Sequence, residues 1–330
     1  MQNKITKTDK FTRVKKSLGL KIHNFARAKK ALGQNFLKST LALNKITEAG
    51  EIKREDIVLE IGPGKGALTE KLLEKAGCVI AVEKDKTLVE MLKEKFEKQI
   101  KIGTLVLVHG DILEFKIINY FVDNSFFQVF ERRQDVVLES LGRSGDDGQR
   151  KFSAENFRAL QNNTLFPLSY KIIANIPYNI TGAILKKFLT ENNQPALMVL
   201  MVQNEVAKRI VARDKKESIL SISIKAYGTP EMIMKVPARY FSPAPKVDSA
   251  VIKIKDISRK FFEENKINEE KFWKIVHLGF AHKRKKLAGN LKSVNFDPKI
   301  SRINLDMELL NKRAEDLTLL DWIILTKASI

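Results

Sequence analysis

Short apolar runs alternate along the chain with segments whose apolar residues recur at helical spacing. After the first run the recurring positions are Leu68 and Leu72, and after the second they are Leu88, Leu92 and Phe96. This is the spacing of one buried helix face. Strands that alternate with helices predict a mainly parallel sheet covered on both faces, and hence an α/β fold. The apolar runs lie at residues 56–61, 79–82, 105–108, 171–174 and 196–202.

The later part of the chain is less regular. Residues 219–226 fit a strand by their partial alternation and a helix by their length, whereas residues 232–236 and 249–254 look like a final pair of strands. Beyond residue 256 the chain is rich in lysine, with helical spacing at Phe272, Val276 and neighbouring positions. We predict a small helical domain there.

Residues 115–168 fit neither pattern and include a polar, glycine-rich stretch at 142–148. A connection this long between two strands of one sheet predicts an insertion. Our hypothesis is that residues 123–163 form a peripheral excursion, partly disordered or helical, which leaves the site between the flanking strands intact.

The charge indicates a polyanionic partner. The chain has 59 Lys and Arg against 39 Asp and Glu, a net charge of +20. Clustered cations bind a phosphate backbone by releasing its counterions, so nucleic acid is the first partner to consider. Residues 1–30 hold ten Lys and Arg and a single acid, Asp9. They suit an RNA-binding arm or, as the alternative, an organelle transit sequence.

Several classes of protein are disfavoured by composition. A single cysteine, Cys78, precludes an intramolecular disulfide and a thiolate metal cluster, and the four histidines are scattered. We expect no metal. No apolar run approaches the ~20 residues of a membrane span, and the N-terminus lacks an apolar signal core. We therefore expect a reduced, cytoplasmic protein with no membrane partner.

Candidate binding residues follow the apolar runs, where ligands of open α/β sheets bind. Gly62 and Gly64 allow a ligand to approach the backbone closely, and Glu83 is placed to accept the hydroxyls of a ribose. Asp111, after the third run, is placed to accept from an adenine amino group. These residues alone also satisfy the fingerprint of an NAD-dependent oxidoreductase.

Residues 175–178, with the sequence Asn-Ile-Pro-Tyr, favour a different chemistry. An exocyclic adenine amine is a weak nucleophile because its lone pair is delocalised into the ring. The amide oxygen of Asn175 and a backbone carbonyl of Ile176 or Pro177 could accept its two protons and localise that lone pair. Pro177 fixes the turn, and Tyr178 offers a face on which an unstacked base can lie. Hydride transfer has no use for this arrangement.

Four further motifs occur in a fixed order with residues 175–178. Together they closely resemble the KsgA/RsmA family of ribosomal RNA adenine dimethyltransferases, from about residue 29 to the C-terminus with the insertion as an interruption. The motifs are Lys-Ala-Leu-Gly-Gln-Asn-Phe-Leu at 30–37, Glu-Ile-Gly-Pro-Gly at 60–64, Gln-Asn-Glu-Val-Ala at 203–207 and Phe-Ser-Pro-Ala-Pro-Lys-Val-Asp-Ser-Ala-Val at 241–251.

The resemblance implies a Rossmann-like, seven-stranded S-adenosylmethionine-dependent methyltransferase sheet followed by a small C-terminal α-helical domain, and it makes residues 219–226 a helix. It also implies transfer of methyl groups from S-adenosylmethionine to N6 of two adjacent adenosines in a hairpin loop near the 3′ end of small-subunit (16S) ribosomal RNA. Motif position assigns the cofactor to Asn35, Leu37, Gly62, Gly64, Glu83, Asp111 and Asn175, and the target base to Asn175, Pro177, Tyr178 and Phe241.

Basic side chains are expected to contact the RNA. A run of cations resembles a basic stretch of the family's C-terminal domain, Lys246 lies near Phe241 in sequence, and Lys29 and Lys30 flank the cofactor site. The run comprises Lys283, Arg284, Lys285 and Lys286.

The sequence therefore predicts three parts: a basic extension at 1–28, a methyltransferase domain at 29–255 with its insertion, and an RNA-binding helical domain at 256–330. We expect a monomer that acts on an immature small ribosomal subunit. The alternatives are a large-subunit adenine N6-methyltransferase of the macrolide-resistance type and an assembly or binding factor with the same fold. The long motif at 241–251 favours the small-subunit enzyme, and the presence of every expected active-site residue favours an enzyme.

Overall fold

The computed structural model describes residues 33–118, 169–212, 215–295 and 307–329. Nine strands lie in these ranges: β1 Phe36–Leu37, β2 Ile57–Ile61, β3 Cys78–Glu83, β4 Leu105–His109, β5 Tyr170–Asn175, β6 Leu197–Gln203, β7 Thr229–Val236, β8 Phe241–Ser242 and β9 Ser249–Lys255. The predicted insertion beyond residue 118 and the basic extension at 1–28 lie outside the described residues.

Within the described ranges helices follow β1, β2, β3, β5 and β6, and more helices lie later in the chain. They are α1 Thr40–Ala49, α2 Ala67–Leu73, α3 Lys86–Lys95, α4 Glu97–Lys101, α5 Thr181–Thr190, α6 Asn204–Ile210, α7 Ile219–Lys225, α8 Lys260–Glu264, α9 Glu269–Gly279, α10 Leu287–Asn290, α11 Met307–Asn311 and α12 Leu319–Ala328. Their starts are capped where the sequence allows it. Three side chains accept a backbone N–H from the first turn of the helix that they precede: Ser39 at α1, Asp85 at α3 and Asn268 at α9. No helix in the described ranges is long and apolar enough to cross a membrane.

Seven strands form one mixed sheet in the order β4-β3-β2-β5-β6-β9-β7. The first five are parallel, and β9 runs antiparallel between β6 and β7. Every residue of β2 and β3 is buried because helices cover both faces. Ile57 and Leu59 pack on one face and Val58 on the other, so two apolar cores sandwich the sheet. The predicted fold class is confirmed, as are the helix within residues 219–226 and the final strand pair.

The chain after β9 is helical wherever it is described. Helix α9 packs against α12, and Gly279 makes their close approach possible, because a Cβ there would lie 2.4 Å from Cη2 of Trp322. Trp322 and Phe272 are fully buried in the same apolar core that reaches β2. The proposed division at residue 256 remains a prediction.

A two-stranded antiparallel ribbon joins the segment that precedes the large sheet to the segment that precedes β9. Phe36 pairs with Ser242 and Leu37 with Phe241, and the backbone N–H of Lys38 donates to the carbonyl oxygen of Tyr240 at 2.8 Å. The ribbon therefore brings Phe36 and Leu37, the end of the first motif, against the start of the motif at 241–251.

Candidate active site

A cavity of about 670 Å³ lies at the carboxyl ends of β2, β3 and β5. Its volume is in the range of pockets that bind small molecules and cofactors. The wall includes all seven residues predicted to bind the cofactor and three of the four predicted to contact the target base. These are Asn35, Leu37, Gly62, Gly64, Glu83, Asp111, Asn175, Pro177 and Tyr178. The structure brings them together, and their individual roles remain predictions.

The turn between β2 and α2 leaves room for a ligand. Gly62, Gly64 and Gly66 have φ angles of +65°, +59° and +77°, a region that side chains other than glycine rarely adopt. A Cβ on Gly62 would meet nothing within 4 Å, and the same holds for Gly110 beyond β4. Both glycines line the cavity, so a nucleoside can lie directly against the backbone at these points.

Glu83 ends β3 and is buried at the base of the cavity. Its Oε2 accepts the backbone N–H of Gly64 at 3.1 Å, and its Oε1 accepts that of Asp85 at 2.9 Å. Burial raises the pKa of the Glu83 carboxyl, while these two hydrogen bonds act in the opposite direction. Each carboxylate oxygen retains a further lone pair, which suits the predicted acceptance of ribose hydroxyls.

Asp111 lies just beyond β4, and the structure gives it a partner that the sequence did not reveal. Lys84 Nζ lies 2.6 Å from Oδ2 of Asp111, and the backbone N–H of Leu113 donates to Oδ1 at 3.0 Å. These hydrogen bonds hold the pKa of the Asp111 carboxyl below its usual range. The carboxylate is therefore ionised and fixed in orientation.

Asn175 ends β5 with its amide orientation defined. Its Nδ2 donates to the backbone carbonyl oxygen of Asn35 at 3.1 Å. Because the nitrogen is used in this way, Oδ1 is the arm left to accept protons. Asn35 is held in turn, since its own Nδ2 donates to the carbonyl oxygen of Gly33 at 3.2 Å.

Tyr178 follows the turn at Pro177 and begins a short 3₁₀ helix, Tyr178–Ile180. Its hydroxyl lies 2.5 Å from Oγ of Ser249, the first residue of β9. The pKa of the Tyr178 phenol is raised by burial. The Ser249 contact fixes the side chain and leaves the ring partly exposed beside the cavity.

Phe241 lies apart from the other predicted base contacts. It is 4% exposed and packs in the apolar core on one face of the sheet, whereas the neighbouring Ser242 lines the cavity. The ribbon pairing with Leu37 places it there. Its role as a stacking partner remains a prediction.

Glu60 is a further candidate site residue. It belongs to the motif at 60–64, which assigns it no role. It lies within the buried strand β2, is 1% exposed and lines the cavity. Burial raises the pKa of this carboxyl to about 8, and the nearby Glu83 carboxylate contributes to the rise. An acid inside an otherwise apolar strand was the sequence signal for it.

Lys246 and the predicted RNA-binding cations at 283–286 lie outside the cavity wall and are exposed, whereas Lys29 and Lys30 lie outside the described residues. Lys246 is in the loop before β9, and residues 283–286 form the turn between α9 and α10. The buried Asn290 holds this turn, because its Nδ2 donates to the carbonyl oxygens of Gly279 at 2.6 Å and His282 at 3.2 Å. Among the residues placed by the structure, no group of three or more His, Cys, Asp and Glu could hold a metal ion.

Known proteins are similar in sequence to this chain along most of its length. The family model described as "Ribosomal RNA adenine dimethylase" matches residues 25–324. A protein of Dehalococcoides mccartyi strain CBDB1 is 36% identical over 303 residues, which are 90% of this chain and 86% of that protein. A protein of Rippkaea orientalis is 35% identical over 305 residues, 90% of this chain and 95% of the relative. Both are named "Ribosomal RNA small subunit methyltransferase A".

Solved structures agree on the fold. A dimethyladenosine transferase from Plasmodium falciparum superposes with a TM-score of 0.64 at 23% identity, and the 23S rRNA methyltransferase ErmE with 0.62 at 21%. Each match covers 89% of this chain and 99% of the other. At these identities the two structures support the fold and do not distinguish one RNA substrate from the other.

Proposed function

This chain belongs to the ribosomal RNA adenine dimethylase family, and we propose that it dimethylates N6 of two adjacent adenosines near the 3′ end of small-subunit ribosomal RNA. The methyl donor is S-adenosylmethionine, and the RNA is presented in an immature small subunit during ribosome biogenesis. Relatives named for the small-subunit reaction cover 90% of the chain, which favours this substrate over large-subunit RNA.

One observation carries the proposal: residues 175–178 share a cavity with the glycine turn and with Glu83. The glycine turn, Glu83 and Asp111 would hold the adenosine half of the cofactor. Asn175 would stand where the methyl group meets its acceptor. An NAD-dependent oxidoreductase has no use for a free amide oxygen and a tyrosine at that point.

S-adenosylmethionine, when bound, supplies a methyl group already activated by its sulfonium. The protein's part is alignment, which can contribute ~7–11 kcal/mol to a bimolecular transfer. Asn175 Oδ1 and the carbonyl oxygen of Ile176 or Pro177 accept hydrogen bonds from the two N6–H groups, so the nitrogen lone pair points towards the methyl group. Tyr178 stacks on the extruded base. No dedicated general base is needed, because the alkylated amine is acidic enough to lose its proton to water.

RNA binding is assigned to the exposed cations and to the helical segment after β9. Residues 283–286 and Lys246 would contact phosphates, with the basic extension at 1–28 as a further arm. These contacts carry charge rather than sequence information, so they would position the subunit while the cavity selects adenine. A monomer suffices for this scheme.

The test is transfer of tritiated methyl groups from S-adenosylmethionine to unmethylated small ribosomal subunits. We expect label in N6,N6-dimethyladenosine of the small-subunit RNA. Asn175→Ala should lower the rate of methyl transfer roughly 100-fold or more, as for removal of a transition-state hydrogen-bond partner. Asn179→Ala is the matched control, because it removes an exposed amide from the same cavity wall. It should lose far less.

The other outcomes are equally informative. Label that appears only with large-subunit RNA would assign the chain to the macrolide-resistance type of reaction. Intact cofactor binding with no label on either subunit would favour an assembly or binding factor.

A further inference from the structure

Four lysines line the cavity, and they differ in their partners. Lys84 pairs with Asp111 at 2.6 Å, and Lys95 pairs with Glu70 at 2.9 Å. Within the described ranges no carboxylate forms an ion pair with Lys65 or Lys38. Lys38 is exposed, whereas Lys65 is partly buried. Lys65 is therefore the more enclosed of the two cavity cations that lack an acidic partner there.

The surroundings of Lys65 hold its ammonium group between two parts of the wall. Its Nζ lies 4.8 Å from the ring centre of Phe36, a cation–π contact. That ring packs on the glycine turn, because a Cβ on Gly64 would lie 3.0 Å from its Cδ1. The backbone of Lys65 is held as well, since Lys95 Nζ donates to its carbonyl oxygen at 2.9 Å. The cation thus lies where the glycine turn meets the β1 segment.

The charges of the cavity leave one part of the proposed cofactor unmatched. The acids Glu83 and Asp111 in the wall suit hydroxyl, amino and cationic groups. The methionyl tail of S-adenosylmethionine also carries a carboxylate, which requires a cation or several N–H donors. Lys84 and Lys95 already neutralise acids of the protein.

We propose that Lys65 binds the α-carboxylate of the cofactor's methionyl tail and so selects a ligand with that tail. This inference rests on the proposed function, since it assigns a further residue of the same site. Phe36 orients the ammonium group before the ligand arrives, and the ion pair then forms across the junction of the glycine turn with β1. A ligand that lacks only the carboxylate gains nothing from Lys65.

The test measures dissociation constants by calorimetry for S-adenosylhomocysteine and for its decarboxylated analogue, which keeps the amine. We expect Lys65→Met to raise the dissociation constant of S-adenosylhomocysteine about 10-fold or more, as for loss of a charged hydrogen bond. The dissociation constant of the analogue should stay unchanged. Lys65→Arg, which keeps the charge, should retain most of the affinity. Lys38→Met is the matched control, at the other cavity lysine that has no acidic partner among the described residues, and should change the affinity for neither ligand.

Each alternative result overturns the inference in a recognisable way. If Lys65→Met weakened the binding of both ligands equally, Lys65 would only support the glycine turn. If Lys38→Met weakened the binding of S-adenosylhomocysteine but not of the analogue, the carboxylate would be bound by Lys38 instead. If the wild-type protein bound the analogue but not S-adenosylhomocysteine, a carboxylate site would be absent. If it bound neither ligand, the proposed function itself would fail together with this inference.

Discussion

The side-chain amide of Asn175 donates a 3.1 Å hydrogen bond to the backbone carbonyl oxygen of Asn35, a residue 140 positions earlier in the chain. This bond ties the end of β5 to the segment that leads into the β1–β8 ribbon. It also decides which arm of the amide faces a substrate, because the nitrogen is used and the oxygen is left to accept. The orientation of the proposed catalytic amide thus depends on a contact between distant parts of the sequence.

Asn175→Asp tests this orientation. The variant keeps the acceptor oxygens but cannot donate to Asn35, and the two oxygens would repel each other. We expect kcat for methyl transfer to fall about 10-fold or more while the protein stays folded, because a misplaced acceptor no longer aligns the amine. Single-turnover transfer to small subunits, with the melting temperature as a control, measures this. Wild-type activity in the variant would refute the role of the Asn35 contact.

Tyr178 combines a stacking face with an anchor, and two substitutions separate them. Tyr178→Phe removes only the hydroxyl bond to Ser249, so we expect a loss of about 0.5–1.5 kcal/mol in stability and most of the activity retained. Tyr178→Ala also removes the ring, and kcat/KM should fall about 10- to 100-fold, in line with the ~1–3 kcal/mol of base stacking.

Ser249→Ala serves as the partner in a double-mutant cycle with Tyr178→Phe, monitored by urea unfolding. The two losses in stability should not add, because both variants remove the same hydrogen bond. Full additivity would mean that this bond does not anchor the ring.

The buried carboxyl of Glu60 should make the free energy of unfolding depend on pH. Burial raises the pKa of its carboxyl from 4.5 to about 8, so between these values the unfolded state is ionised and the folded state holds the proton. The contribution of this carboxyl to the free energy of unfolding is fully present below pH 4.5 and is lost as the pH rises towards 8. Glu60→Gln should be more stable than the wild type at pH 8, by about 1–4 kcal/mol.

Urea unfolding of both proteins from pH 4.5 to 8.5 measures this difference. The difference between variant and wild type should grow across the window. A constant difference would show that Glu60 is not protonated in the folded protein.

Asn290 is expected to support RNA binding through the turn at residues 283–286. Asn290→Ala leaves the carbonyl oxygens of Gly279 and His282 without their donor, so we expect a loss of about 1–3 kcal/mol in stability. We also expect weaker binding to ribosomal RNA with an unchanged dissociation constant for S-adenosylhomocysteine. Filter binding and calorimetry report the two separately, and parallel loss of both would point to general unfolding.

A variant with alanine at all four positions of that turn tests the charges themselves. Each lost phosphate contact should reduce the slope of log K against log salt concentration by roughly 0.7–0.9. We expect the protein to stay folded, because these side chains are exposed. An unchanged slope would contradict the assignment of residues 283–286 to RNA binding.

The sequence by itself determined the sheet and the collection of residues around the cavity. Apolar runs that alternate with helical spacing define a parallel sheet, and its strands end at one edge. Gly62, Glu83, Asp111 and Asn175 each follow or end such a run, so their meeting was predictable from order alone. Residues 219–226 were predicted as a helix only with the help of the family resemblance, because their local pattern fits both a helix and a strand.

Only the tertiary structure decided which distant side chains touch. The burial of Phe241 follows from its register opposite Leu37 in the ribbon, and the charge on Asp111 is balanced by Lys84. Local periodicity gives the face of a strand on which a residue lies, but contacts between elements depend on the register of pairing and the packing of whole layers. For the same reason the position of Lys65 over Phe36 could be seen only after folding had joined the glycine turn to β1.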